Sequence, residues 1–318
     1  MYSYDKNYIS QRASKFGFIR DTLEKVYRLA DILEYINSDP ILKGKLALKG
    51  GTAINLTIFN LPRLSVDIDL DYLGNDSKEE MLQNRIMINT ALAKFMALNG
   101  YRLSPKTKTP HSLDSWVYEY VNCGGNKDTI KIEINYSLRA HIFPVQEMKI
   151  ITEHFESEYN LNCLNALEIF GSKINALISR AAARDLYDVY NMIKFRLFDE
   201  SEEQLLRKCV VFYAAISARE INKSFDTGAI DGITKYKIKT DLLPVLTKHD
   251  LFDLDLAKKA AKGYISELMA LTPQEQEFLE QFEAKEYKPE LLFDDADIIC
   301  RIKSHPMALW KIRQRDGN

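Results

Sequence analysis

One stretch of the chain, LALKGGTAINLTIFNLPRLSVDIDLD at residues 46–71, constrains its fold more than any other. It begins with a short apolar run, which two glycines and a threonine follow at positions 50–52. A segment of helical character then extends to Pro62, and an alternating segment after it carries Asp67 and Asp69. The predicted order is therefore a strand, a tight turn, a helix and a second strand with two carboxylates.

The composition describes a globular chain with no overall preference for a charged partner. Its 318 residues are enough for one large or two ordinary domains, and 46% of them are hydrophobic. The net charge of −2 gives no support for a nucleic-acid-binding protein, although local basic patches remain open. The four cysteines form no CxxC or Cys/His cluster, so neither a zinc site nor a disulfide framework is expected. No apolar run approaches a signal peptide or a membrane span, so we expect a cytoplasmic protein with no membrane partner.

Hydrophobic periodicity changes in character along the chain. Up to about residue 160 it switches between helical and strand periods, and from about residue 164 onward it is almost wholly helical. We therefore predict an α+β fold, with a domain of residues 1–160 around a small mixed sheet and an α-helical domain of residues 161–318. The predicted elements of the first domain are helices at 19–37, 52–59 and 77–98 and strands at 46–48, 64–73, 115–122 and 129–136.

The strand predicted at 64–73 carries three acidic residues with a spacing of two. Side chains alternate along a strand, so Asp67, Asp69 and Asp71 share one face, where like charges repel one another. Such a face is either solvated or neutralised by a divalent cation, and Mg²⁺ binds carboxylate oxygens together with substrate phosphates. Because the glycines at 50–52 allow close backbone approach to a phosphate, the ordered pair of motifs favours a nucleoside triphosphate and Mg²⁺.

A further acid lies on the strand predicted at 129–136. Lys131, Glu133 and Asn135 share one face of it, and Glu133 would complete a three-carboxylate metal site if the two strands are neighbours. A solvated face with a Lys–Glu pair is the alternative.

The helical segment at 167–193 has basic and acidic residues near one stripe. In one straight helix, Lys173 and Asp188 would lie ~22 Å apart and could not contact the same ligand. A break near 181–184 would remove this difficulty and make Asp185 the N-cap of a second helix. The pattern alone, with three alanines in succession, favours the alternative of a surface stripe with an Arg184–Asp188 ion pair.

Four motifs, taken together and in this order, carry a resemblance to a known family: GGTAINL, RLSVDIDL, KIEINY and K…R…RDLYDVY. Through them the chain resembles the AbiEii/AbiGii family of nucleotidyltransferase toxins. The segments YKPELLFDD and HPMALWK extend the resemblance over most of the chain. It implies a polymerase-β-like nucleotidyltransferase domain followed by the helical domain. It also implies a bacterial type IV toxin–antitoxin or abortive-infection system, an antitoxin encoded nearby, and the 3′ end of tRNA as acceptor.

The resemblance assigns roles by position. It implies a triphosphate contact for the glycine motif, metal binding for the DxD pair and phosphate neutralisation for Lys173, and we expect Asp188 to act in the site while Asp185 caps the helix. Many superfamily members have GS at the glycine motif, although Thr52 still supplies a hydroxyl. The predicted catalytic residues are Asp67, Asp69, Lys173 and Asp188, the predicted metal ligands are Asp67, Asp69 and Glu133, and the predicted substrate contacts are Gly50, Gly51, Thr52, Arg63, Ser65, Arg184 and Asp185.

The acceptor and the reaction leave alternatives open. Arg63 and the lysines at 43, 45, 49, 106 and 108 would form a phosphate-binding patch or are simply scattered and solvated. A protein or a small molecule such as an aminoglycoside is a second acceptor class, and an acidic pocket would suit it. A non-catalytic nucleotide-binding module is a third possibility, against which the intact acidic and lysine motifs argue. The acids considered for that pocket are Asp71, Asp76, Glu79 and Glu80.

Overall fold

A seven-stranded mixed sheet forms the centre of the first of two units. The structure is a computed structural model that describes residues 4–60, 62–74, 76–151, 159–217 and 223–314. The first unit comprises Met1–Arg139, Val145–Leu164 and Pro244–Asp250, and the second comprises Ala140–Pro144, Asn165–Leu243 and Leu251–Asn318.

The strands of the sheet run in the order β3-β4-β5-β2-β1-β7-β6, so β2 is central and has β1 antiparallel on one side and β5 parallel on the other. The three strands not predicted from the sequence have two to four residues each, too few to show an alternating pattern. The strands are β1 (Leu46–Lys49), β2 (Asp67–Tyr72), β3 (Arg102–Leu103), β4 (Leu113–Val121), β5 (Lys127–Asn135), β6 (Gln146–Lys149) and β7 (Asn160–Cys163).

Alternation along the longer strands gives the sheet one apolar and one polar face. Ile68 and Leu70 of β2 are buried, and so are Ile132 and Trp116 on the strands beside them. The residues between them on β4 and β5 are half-exposed and mostly polar. The polar face therefore carries the acidic residues singled out by the sequence.

Helices of the first unit pack by their apolar stripes. One of them, at residues 78–98, begins with a capping box in which Ser77 and Glu80 satisfy each other's backbone N–H groups, so Ser77 is its N-cap. The helices are α1 (Lys6–Phe16), α2 (Arg20–Ser38), α3 (Gly50–Ala53), which continues as a π-helical turn at Ile54–Ile58, and α4 (Lys78–Leu98).

The secondary-structure elements in the described residues of the second unit are all helices, joined by loops. Thr272 accepts from the Glu275 backbone N–H (3.3 Å) and Pro273 occupies the first helical position, so a Thr N-cap and a proline mark the start of one of its helices. The helices are α5 (Ala166–Arg180), α6 (Ala183–Lys194), α7 (Glu200–Ile216), α8 (Lys235–Lys237), which continues as a π-helical turn at Ile238–Leu242, α9 (Leu254–Leu268), α10 (Pro273–Glu283), α11 (Ala296–Ile302) and α12 (Pro306–Arg313).

A sharp break separates α5 from α6. Ala181 adopts a left-handed conformation (φ 47°), which ends α5, and Ala182 is the N-cap of α6. The break lies where the sequence placed it, and the straight surface helix is wrong. The cap itself is three residues earlier than predicted, so Asp185 lies in the first turn of α6 and is not its N-cap.

The α+β fold class predicted from the sequence is therefore confirmed, with a mixed sheet followed by a helical region. Within the described ranges, none of the helices combines the length and the apolar character needed to cross a bilayer.

Candidate active site

The polar face of β2 presents two carboxylates next to each other. Asp67 and Asp69 are both half-exposed, one pleat apart. Asp69 lies in register with Glu133 on β5 and with Lys49 on β1, so the two acidic strands are neighbours, as the sequence required for a shared site. Lys49, Asp69 and Glu133 thus form a row across β1, β2 and β5 that places one amine and two carboxylates on the same face of the sheet.

The turn between β1 and α3 approaches this face closely. Gly50 has a left-handed φ of 67°, and a methyl group there would lie 2.7 Å from Asp69 Oδ2. A methyl group on Gly51 would lie 2.7 Å from Arg63 Nη2 and 3.0 Å from Ser65 Oγ. Both glycines are therefore required by contact with side chains that the sequence assigned to the site.

Thr52 joins the glycine turn to the start of β2. Its hydroxyl donates to the Asp67 carbonyl and lies 2.9 Å from Ser65 Oγ, and its side chain is buried. The hydroxyl that the sequence assigned to the triphosphate is thus engaged inside the protein. Through these two contacts, the Thr52 hydroxyl holds Ser65 and the backbone of Asp67 in place.

Arg63 lies inside the first unit. Its side chain is 2% exposed, and Nη1 donates to the Leu64 carbonyl at 3.0 Å. The predicted surface patch is therefore wrong for Arg63, because burial keeps its guanidinium among protein groups. Lys45 donates to Asn84 at 2.6 Å, which leaves the exposed lysines of that patch as Lys43, Lys106 and Lys108.

Lys49 is a site residue to which the sequence alone gave no specific role. Its amine lies 2.5 Å from Asp71 Oδ1, and the Asp71 side chain is 2% exposed. Burial raises the pKa of Asp71, and the charge of Lys49 opposes that rise. Lys49 lies directly before the glycines, at the end of β1. Because β1 pairs antiparallel with β2, this position places Lys49 diagonally opposite Asp71, and that is the signal by which the sequence could have identified it.

Two of the four acids considered for a cationic acceptor, Asp71 and Asp76, are engaged within the protein, whereas Glu79 and Glu80 are exposed. Asp71 is buried against Lys49, while Asp76 accepts from the Tyr72 hydroxyl and from Asn84 Nδ2. These contacts give no support for an open acidic pocket built on Asp71 and Asp76.

The donor chemistry of β2 fits Mg²⁺ with two protein ligands. Asp67 and Asp69 offer half-exposed carboxylate oxygens on one face, the ligand type that Mg²⁺ binds. No group of three or more His, Cys, Asp or Glu residues in the described ranges is arranged to hold a metal. Glu133 instead forms an ion pair with Lys131 at 3.0 Å. The predicted ligand set of three carboxylates is therefore not present, and Asp67 and Asp69 remain as candidate ligands.

The second unit contains a buried cluster of charged residues across the α5–α6 break. Lys173 Nζ lies 2.9 Å from Asp185 Oδ1 and 3.1 Å from Asp188 Oδ2. Arg180 Nε lies 2.7 Å from Asp185 Oδ2. Burial would raise the pKa of Asp185, but Lys173 and Arg180 more than offset this, so that the pKa is lowered. Asp188 is buried against Lys173 and so does not belong to a solvated surface stripe.

Arg184 has a different neighbour from the one its sequence spacing suggested. Its Nε donates to the carbonyl oxygen of Asp241 at 2.8 Å, which ties the first turn of α6 to the π-helical turn after α8. The structure thus brings Lys173 of α5 together with Asp185 and Asp188 of α6 within the second unit. Arg184 lies in the first turn of α6.

Comparisons with known proteins agree with this architecture. A family described as nucleotidyl transferase AbiEii toxin, type IV TA system, matches residues 31–288. Among solved structures, the chain is similar to MenT4, a nucleotidyltransferase toxin from Mycobacterium tuberculosis H37Rv, with a TM-score of 0.61 and 16% identity over 99% of this chain and 100% of that one. A comparison with curated protein sequences gave no match. Since the family match spans well over half of its length, the chain belongs to the AbiEii family and is a nucleotidyltransferase toxin of a type IV toxin–antitoxin system.

Proposed function

We propose that the protein transfers a nucleoside monophosphate from a nucleoside triphosphate to the 3′ end of tRNA in a reaction that requires Mg²⁺. The observation that carries this proposal is the pair Asp67 and Asp69 on one half-exposed face of β2, with the Gly50 turn packed against Asp69. Membership of the family removes the non-catalytic module as an alternative.

On the donor side, Asp67 and Asp69 would hold Mg²⁺, which neutralises and aligns a triphosphate when it is bound. The turn at Gly50 brings backbone close to these carboxylates without a side chain in the way. Thr52 and Ser65 keep the turn and the start of β2 in register. These contacts are what a preorganised phosphate site needs.

The chemical step that we propose is an in-line displacement at the α-phosphorus. A hydroxyl oxygen of the acceptor forms the new bond to phosphorus, and the bond from phosphorus to the bridging oxygen of pyrophosphate breaks. Pyrophosphate leaves with that electron pair, and a carboxylate accepts the proton of the hydroxyl. We assign Lys173 to offsetting phosphate charge, a role supported by its match to the family's motif lysine.

The acceptor that we propose is RNA because the family resemblance implies tRNA. The contacts of Asp71 and Asp76 within the protein weaken the case for a cationic small molecule, which then rests on the exposed Glu79 and Glu80. As a toxin of a toxin–antitoxin system, the protein implies a cognate antitoxin as a further partner.

The test is incubation of the purified protein with total tRNA, Mg²⁺ and each labelled nucleoside triphosphate in turn. Asp69→Asn and Asp67→Asn are the site variants, and Asp255→Asn, an exposed acid on α9, is the matched control. Label should appear on tRNA with wild type and the control, and both site variants should lose it together with Mg²⁺-dependent pyrophosphate release.

Two outcomes would contradict parts of this proposal. Pyrophosphate release without label on RNA would move the acceptor to a protein or a small molecule. Full activity of Asp69→Asn would show that the active site does not depend on the carboxylates of β2.

A further inference from the structure

A short helical segment of the second unit presents basic and aromatic side chains to solvent. It begins with α8 and continues through the π-helical turn to Leu242. Ile238 and Leu242 are buried on its inner side, whereas Lys235 and Lys239 are exposed and Tyr236 is 73% exposed. A tyrosine ring this open to water contributes little to a hydrophobic core, so its position calls for another explanation.

The segment carries three lysines and one acid, Asp241. Within the described ranges, Lys235, Lys237 and Lys239 form no ion pair. Lys235 and Lys239 are also spaced i,i+4, where like charges repel along a helical turn. Other lysines of the second unit do pair with acids: Lys208 with Asp294, Lys262 with Asp231 and Lys288 with Glu286.

Arg184 connects this segment to the charged cluster of the same unit. It donates to the backbone carbonyl of Asp241 at 2.8 Å from the first turn of α6. The next residue, Asp185, is the partner of Lys173. The exposed basic segment and the buried motif lysine are therefore both anchored on the start of α6.

We propose that Lys235, Tyr236 and Lys239 bind the single-stranded end of the RNA acceptor. The two lysines contact phosphates, and the tyrosine ring stacks on an unpaired base. Unpaired RNA ends fit this surface because every base offers a face to an aromatic ring, whereas an acidic protein would match the lysines alone. This inference rests on the proposed RNA-directed function and names the surface that binds the acceptor.

The experiment compares RNA binding by three variants of this segment and one charge control with that of the wild type at several salt concentrations. Lys235→Glu/Lys239→Glu removes the phosphate contacts, Tyr236→Ala removes the ring, and Tyr236→Phe keeps it. Lys94→Glu/Lys303→Glu makes the same change in net charge at two exposed lysines elsewhere. The RNAs are tRNA and the same tRNA trimmed of its single-stranded 3′ end, and thermal melting verifies that each variant is folded.

We expect the double charge variant to bind tRNA at least ~10-fold more weakly, with a salt slope smaller by about 1.4, since each single-strand contact contributes about 0.7. Tyr236→Ala should bind intact tRNA about 10-fold more weakly and trimmed tRNA as the wild type does, while Tyr236→Phe stays close to wild type. Nucleoside triphosphate binding should be unchanged in all of them.

The outcomes separate this inference from the proposed function. If the wild type labels tRNA while Lys235→Glu/Lys239→Glu and Tyr236→Ala bind and label it normally, this surface is not the acceptor site and only the further inference fails. If the variants lose binding to the antitoxin and keep RNA binding, the surface belongs to the protein partner and the inference is overturned. If the wild type neither binds nor labels RNA, both proposals fail.

Discussion

Gly50 and Asp69 are in such close contact that a single methyl group on the glycine would lie 2.7 Å from the carboxylate Oδ2. The contact couples the conformation of the turn to the position of a predicted metal ligand. A displacement of Asp69 by a fraction of this distance would change the site without changing the charge on either strand.

Gly50→Ala should therefore remove nucleotidyl transfer. We expect a fall of at least ~100-fold, because a displacement of about 1 Å in a catalytic group has an effect of that size. Gly44→Ala is the matched control, since Gly44 has a similar φ of 76° and no atom within 4 Å of an added methyl group. Both variants should lose about 1–2 kcal/mol of unfolding free energy to backbone strain. Equal activity in the two would contradict the role of the contact with Asp69.

Thr52→Val tests whether the buried hydroxyl positions the start of β2. The substitution leaves the Asp67 carbonyl without this donor and should lower the free energy of unfolding by about 2 kcal/mol. It should also reduce transfer activity, whereas Thr52→Ser should keep both. Urea unfolding and labelled transfer measure the two effects, and a Thr52→Val protein as active and as stable as wild type would rule out the positioning role.

The Lys49–Asp71 pair predicts a dependence of stability on pH. Burial raises the pKa of Asp71 above its value in the unfolded chain, although Lys49 opposes the rise. The stability from this group is therefore complete below the unfolded pKa and is lost as pH rises through the folded pKa. Asp71→Asn should remove that loss, and Lys49→Met should deepen it. Urea unfolding between pH 4 and pH 8 tests this, and parallel curves for wild type and Asp71→Asn would show that Asp71 is not responsible.

The lowered pKa of Asp185 has the opposite consequence. Its stabilising contribution is present above the unfolded pKa and disappears as pH falls through the folded one. At neutral pH, Asp185→Asn should be less stable than wild type and less stable than Asp188→Asn, because Asp185 contacts both Lys173 and Arg180 whereas Asp188 contacts Lys173. The difference between Asp185→Asn and wild type should shrink in acid.

Asp188→Asn separates the two acids of the cluster. Lys173 keeps Asp185 as a partner in this variant, so we expect a smaller loss of stability together with loss of transfer activity. Transfer rates measured on folded protein, with unfolding free energies alongside, make the comparison. Loss of activity in Asp185→Asn alone, at a temperature where it is folded, would exchange the two roles.

The sequence predicted the features that depend on local spacing. Alternation placed Asp67 and Asp69 on one face of a strand. The length of a straight helix showed that Lys173 and Asp188 could meet only across a break, although the pattern favoured the unbroken surface stripe that the structure contradicts. The left-handed Ala181 that makes this break has no sequence signature, because alanine is a strong helix former.

Features that depend on pairing between distant segments were not predictable. The contact of Lys49 with Asp71 requires the antiparallel register of β1 and β2, and the burial of Arg63 requires a bridge to Leu246. For Glu133 the sequence left a metal site and a Lys–Glu pair open, and the structure shows the pair with Lys131. Register and competing partners are tertiary properties that a single motif does not encode.

The interleaving of the two units has a genetic consequence. The chain passes between them after residues 139, 144, 164, 243 and 250, and the segment that returns last supplies the Val245 carbonyl to the Leu64 backbone N–H at 2.7 Å. No single cut of the gene therefore separates the two units from each other. A stop codon before codon 244 therefore truncates both units at once, because it removes the last segment of the first unit together with the end of the second.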